Sequence, residues 1–323
     1  MARDNRIDTL KGLLIILVIV GHVITTLDNS NVFNHAVMGL IYVFHMPLFI
    51  LISGYLAKDS EHQSPRDLWR GVANIFVTLL VFQVISSIRL YYLGIGFIAT
   101  FVRFPFGILW YLMSLIYWKI MLYYTPRGLL RRPALYLGLA LAVSILIGLT
   151  RLGTFLSIQR ALNFYFFFLL GYYYRQGMIP SRWWNNNWLH LAAAVVLLPL
   201  IMWLFPHCGN VMNGADHYGI EGIPGKVMIT ACSVAMSLLV FNLTRYCGWL
   251  CAIGKESLFY YLYHIFVIAM VITPLVKNYA LPRTLPFILL YSAVVVGIVF
   301  VMSKIPPFKW LVAPVFKRES KKE

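Results

Sequence analysis

The chain has 323 residues, 60% of them hydrophobic and 12% charged, and its mean hydropathy is +0.77. A soluble domain carries about 25% charged residues, so a soluble fold is excluded and the composition points to an all-α integral membrane protein. The net charge of +16 would suggest nucleic acid in a soluble protein. Here the basic residues are spread over many loops and both ends, where they anchor a membrane protein, so no nucleic-acid partner is expected.

A helix crosses the hydrocarbon in ~20 residues. About ten apolar runs satisfy this in chain order: 9–27, 35–56, 72–93, 107–124, 133–150, 161–177, 188–206, 225–244, 256–276 and 285–303. The first is read as a retained span, because no small-x-small cleavage site follows it. Alternate connections hold 19 Lys and Arg against 7 in the other set. Lys and Arg accumulate on the cytoplasmic side, so both termini are expected there. The expected organisation is a transmembrane domain over 1–305 and a basic cytoplasmic tail over 306–323, facing anionic lipid.

The first run reads "KGLLIILVIVGH" from Lys11 to His22. Eleven residues at ~100° each return His22 to within ~20° of Lys11, about 16 Å further along one helix face. Leu14 or Ile15, then Val18, form an apolar strip between them. The second run contains "FHMPLFILISGY", with His45 close to a mid-membrane Pro47 that frees a backbone carbonyl. The fourth run opens on "LWYL" at 109–112. The sixth, "RALNFYFFFLLGYYY", begins at Arg160, and most of its aromatics are expected to face lipid or the interface. Arg160 is read either as the partner of an acidic or acceptor group or as a snorkelling anchor.

The long connection 206–225 carries His207, Asp216, His217 and Glu221 without tight ligand spacing, so it is read as a polar external loop and no metal is expected. Cys208, Cys232, Cys247 and Cys251 have neither zinc nor thioredoxin spacing. The ninth run contains "GKESLFYYLYH", in which Ser257, Tyr261 and His264 fall at i, i+4 and i+7 on one face. His22, His45 and His264 are ionisable groups inside apolar runs, and such groups mark function unless they are paired. No P-loop, HExxH or GxSxG occurs, which removes an ATP-driven pump and a familiar serine hydrolase.

At these residues the chain resembles the membrane-bound acyltransferase-3 family of bacterial surface-polysaccharide O-acetyltransferases, in its fucose 4-O-acetylase-like branch. The resemblance rests on Asp8, Leu10, Lys11 and Gly12 with His22 eleven residues on, and on "FHMPLFILISGY", "LWYL", "FFLLGY" and "IGKESLFYYLYH". It implies ten core helices in the bacterial cytoplasmic membrane and no resident cofactor. Cytoplasmic acyl-CoA, acetyl-CoA in particular, would be co-substrate and donor. The acceptor would be a hydroxyl of an envelope carbohydrate or lipid-linked glycan. Carried over by position, Lys11 would contact coenzyme A phosphates and His22 would be the catalytic histidine.

The residues fit such a reaction. Lys11, oriented by Asp8, can hold phosphate while the substrate's long arm follows the apolar strip. A neutral imidazole is a suitable base near pH 7. His22, with His45 and His264, forms the expected catalytic set, by general base or through an acyl-histidine. Asp8 lies about 21 Å along the helix from His22, too far to act as a triad acid. Ser257, Tyr261 and Arg160 are the candidates for acceptor or oxyanion contacts. Two other classes compete: a transporter or flippase of lipid-linked glycan, with the histidines as proton relay, and a sensor or scaffold. The former would more typically carry a mid-span carboxylate, and the latter has no use for the polar stripes.

Overall fold

The structure, a computed structural model, describes residues 3–27, 31–58, 63–92, 94, 104–204 and 214–312. His207, Cys208 and most of the basic tail lie outside the described residues. The longer helices are α1 (Asn5–Leu27), α2 (Val32–Tyr55), α3 (Pro65–Tyr92), α4 (Trp110–Tyr124), α5 (Pro133–Leu146), α6 (Ile158–Arg175), α7 (Asn187–Leu204), α8 (Ile223–Leu243), α9 (Gly248–Lys255), α10 (Ser257–Val267) and α11 (Leu285–Met302). No strand occurs among the described residues. Each of the ten apolar runs coincides with a helix, and six segments are long and apolar enough to cross a membrane: α1, α2, α3, Ile220–Leu243, Ser257–Asn278 and α11.

The chain divides into two compact units. The first comprises Met1–Ile52, Ile179–Met212 and Pro224–Lys309. Within it α1 packs against α9, α10 and α11. The approach to α9 is backbone to backbone. A Cβ on Gly12 would stand 2.0 Å from the Leu250 carbonyl oxygen, and one on Gly254 would stand 1.7 Å from that of Asp8. Only glycine permits this crossing, and it is what the "KG" and "GK" dipeptides at 11–12 and 254–255 encode. Arg6 donates to the carbonyls of Phe241 (2.6 Å) and Thr244 (2.9 Å). It thereby caps the C-terminal end of α8, where a cation complements the helix dipole.

Two prolines act differently in this unit. α2 runs helical through Pro47. After α10 the helix widens into a π-turn over Ile268–Ile272 before Thr273–Asn278. Pro274 supplies no N–H and its ring crowds the carbonyl of Met270, which accounts for the widening. Val43 of α2 packs with Ile229 and Cys232 of α8.

The second unit comprises Ser53–Met178, Asn213–Ile223 and Trp310–Glu323. Leu68, Val72 and Ile116 join α3 to α4. The aromatic run of α6 corrects the expectation that it faces lipid. Phe164, Tyr165, Phe167, Phe168, Tyr172 and Tyr173 are all buried. Their rings stack on protein, Phe168 against Trp118 at 5.6 Å for example. Their phenols find protein acceptors too: Tyr165 meets the hydroxyl of Tyr136 (2.8 Å), and Tyr173 donates to the carbonyl of Leu130 (2.8 Å). An aromatic with a satisfied hydroxyl is as much at home in a core as in an interfacial belt, so composition did not separate the two.

Candidate active site

The first unit brings together most of the side chains singled out above. At the start of α1, Asp8 is buried and lies between two cations. Lys11 Nζ is 2.7 Å from its Oδ1, and the Arg3 guanidinium bonds its other oxygen. Arg3 also donates to the carbonyl of Lys255 (3.2 Å). The i, i+3 spacing of Asp8 and Lys11 makes the pair local to the helix. The crossing at Gly12 and Gly254 presses α9 against it. The cluster holds two positive charges against one negative, and Arg3 remains more than half exposed, so a net cation faces solvent at this end.

His22 stands three turns further along α1 and is half-buried. Its ring centroid lies 5.2 Å from that of His264 on α10, with the planes tilted by 41°. His264 is fully buried. Its Nδ1 is 3.0 Å from the carbonyl oxygen of Tyr260. A carbonyl only accepts, so Nδ1 carries the proton and neutral His264 has its lone pair on Nε2. That Nε2 is buried and has no hydrogen-bond partner.

His45 repeats the arrangement, with Nδ1 2.8 Å from the carbonyl of Ile41. It lies within electrostatic reach of His22 and 4.9 Å from the ring of Tyr42. Tyr42 rests on Gly21, where a Cβ would stand 2.8 Å from its ring, so the glycine beside His22 lets α2 approach. Sequence reasoning passed over Tyr42. Its spacing of three residues from His45, on one helix face, was the available signal.

The other expected residues are placed less tightly. Tyr261 lies 6.1 Å, ring to ring, from His264. Ser257 is buried at the start of α10, seven residues or ~10 Å of helix from His264. Arg160 belongs to the second unit. There it lies over the ring of Trp110 at 5.3 Å and close enough to Asp216 to interact with its carboxylate. Burial pushes that carboxyl above its ordinary range and Arg160 opposes the shift.

The apolar strip between Lys11 and His22 requires a correction. Leu14, Ile15 and Val18 are buried in the unit's core, so the strip packs on protein and is not an open track for a substrate's arm. An apolar strip looks the same in sequence whether it lines a groove or a core. Among the described residues Cys232, Cys247 and Cys251 are free thiols, and no three His, Cys, Asp or Glu side chains cluster as metal ligands would.

Residues 4–304 match the family model described as an acyltransferase domain, that of acyltransferase-3. The chain belongs to the acyltransferase-3 family. It is similar to the nodulation protein NolL of Sinorhizobium fredii (strain NBRC 101917 / NGR234), with 39% identity over 82 residues, 24% of this chain and 22% of that protein. It is also similar to the nodulation protein NolL of Mesorhizobium japonicum (strain LMG 29417 / CECT 9101 / MAFF 303099), with 44% identity over 61 residues, 18% of this chain and 16% of that protein. The matches therefore cover less than a quarter of either curated relative. No solved structure matches the chain. Membership and the apolar helices make this a multi-pass membrane protein of an acyltransferase family.

Proposed function

We propose that this protein is a membrane O-acyltransferase of the bacterial cytoplasmic membrane. It moves an acyl group, acetyl in the first instance, from cytoplasmic acyl-CoA to a hydroxyl of an envelope or exported carbohydrate. Family membership supports acyl transfer. The observation that carries the mechanism is the pairing of half-buried His22 with the buried, unpartnered Nε2 of His264. His22 is the ring a substrate can reach. In its neutral form it takes the acceptor's hydroxyl proton as that oxygen attacks the thioester carbonyl. The other ring nitrogen bears an N–H, and in the reacting complex the Nε2 lone pair of His264, unpartnered here, accepts it, orienting the base and stabilising the imidazolium.

The carbon–sulfur bond breaks, the thiolate of coenzyme A leaves, and the imidazolium returns its proton to that sulfur. The products are an ester and free coenzyme A. Lys11 and Arg3, held about Asp8, bind the donor's phosphates. The donor's arm passes beside α1 rather than along its buried strip. All ten helical runs then belong to the membrane domain, with both termini cytoplasmic, which puts Lys11 on the donor's side.

The test is incubation of the purified protein with radiolabelled acetyl-CoA and fractionated envelope glycans. Label entering a glycan, lost on mild alkaline hydrolysis as an ester would be, is the expected result. No label and no consumption of thioester would refute the reading and leave the glycan carrier with a histidine relay as the alternative.

A further inference from the structure

Helix α8 carries a second buried polar line that acyl transfer, as described, does not use. Lys226, Thr230, Ser233 and Ser237 recur at i, i+4, i+7 and i+11 and so share one face. Each is buried, Lys226 to 4% exposure and Ser237 to 0%. Thr230 is satisfied within the helix, donating from Oγ1 to the carbonyl of Lys226 at 2.8 Å, as hydroxyls in apolar helices commonly do. Ser237 does not follow it. Its buried Oγ has no hydrogen-bond partner.

Lys226 is the stronger anomaly. Among the described residues Lys226 forms no ion pair. It also stands in the first turn of a 21-residue helix, the end at which the macrodipole disfavours a cation. Neither a carboxylate nor the helix compensates the charge. An uncompensated ammonium inside a membrane span costs stability, and such groups are kept where they serve a function.

The packing fixes its depth within the first unit. Tyr42 of α2 rests on Gly21, beside His22. The next residue, Val43, packs with Ile229 and Cys232 of α8. Lys226 lies one turn from Ile229, ~5 Å along the axis. Lys226 and His22 are thus at similar depth, with α2 touching both helices. The Arg3–Asp8–Lys11 cluster is ~16 Å of helix away from His22, at the other end of α1.

We propose that Lys226 is an oxyanion-binding residue and that its ligand is a phosphate or carboxylate group of the acceptor. The acyl-transfer reading assigns the Lys11 end to the donor, and the acceptor must meet the histidines from elsewhere. Only the naming of the carrier as the acceptor rests on that reading. The anion site itself rests on the burial and isolation of Lys226. A lysine suits it, because a point charge holds either oxyanion without the fixed fork of an arginine.

The experiment is thermal unfolding of the detergent-purified protein in rising inorganic phosphate or acetate, with chloride at matched ionic strength as reference. Wild type is expected to be stabilised by one or both anions. The part of the response that is lost in Lys226→Met reports this site: phosphate alone identifies a phosphate-bearing acceptor, and acetate identifies a carboxylate-bearing one. Lys226→Met, which removes the charge and keeps the length, is expected to raise the half-stabilising concentration at least tenfold. Lys226→Arg should stay within a few-fold of wild type. If Lys226→Met fails to fold, Lys226→Gln carries the same measurement. No anion response in wild type, or an unchanged response in Lys226→Met, overturns the proposal. Acyl transfer plays no part in this readout. An inactive protein with a Lys226-dependent response would refute the transferase reading alone, and an active one without the response would refute only this inference.

Discussion

The ring of His22 on α1 and the ring of His264 on α10 stand 5.2 Å apart between centroids, although they come from opposite ends of the chain. The proposed roles differ: His22 meets the substrate, and His264 is a positioning residue that acts through it. His22→Ala should cut turnover at least ~10²-fold while leaving donor affinity within a few-fold. His264→Ala should lower kcat with little change in KM. His264→Gln, which restores an acceptor near the vacated Nε2, should recover part of it. The double variant should be scarcely worse than His22→Ala, because residues acting as one unit are not additive. Additive losses in the steady-state rates would separate the two rings and return the base role to His45 or His264 alone.

Lys11 and Asp8 should fail at the donor step. A charge-assisted contact to phosphate is worth ~1.5–3 kcal/mol, so Lys11→Ala should weaken coenzyme A binding by roughly ten- to a hundredfold. Lys11→Arg should restore much of it. Asp8 is buried between Lys11 and Arg3, and Asp8→Asn leaves two cations facing each other without a carboxylate. It should lower both stability and donor affinity. Calorimetric titration with coenzyme A reads the affinities, and thermal unfolding reads the stability.

The glycines at the α1–α9 crossing should tolerate no side chain. Gly12→Ala and Gly254→Ala place a Cβ into backbone carbonyls at 2.0 and 1.7 Å. The helices must separate, at a cost of about 1–3 kcal/mol or more. Gly138 on α5 has nothing within 4 Å of its Cβ position. Gly138→Ala should leave stability unchanged or raise it, since Ala exceeds Gly in helix propensity by about 1 kcal/mol. Unfolding of the three variants in one detergent is the comparison.

A reporter that is active only in the periplasm, fused to the C-terminus, should give no signal, in keeping with the alternating 19 to 7 division of Lys and Arg. A strong signal would reverse the topology and take Lys11 away from a cytoplasmic donor.

The sequence by itself determined where the helices are and which residues share a face. Asp8 with Lys11, and Tyr261 with His264, are neighbours by helical periodicity alone, which depends only on bonds between residues four apart. It also marked His22, His45 and His264 as unusual, because an imidazole in an apolar run stands out in any composition. What it left undecided was which faces meet. Lipid tails and protein cores are equally apolar, so nothing in the residue types told the buried aromatics of α6 from an interfacial belt, or the closed strip at Leu14, Ile15 and Val18 from an open groove. Nothing in the residue types set Lys226 apart from the other basic residues; packing buries it with no ion pair among the described residues. Those outcomes were decided by tertiary structure, through close approaches that depend on partners far away in the chain: α1 on α9 at Gly12 and Gly254, and α2 on α1 at Gly21.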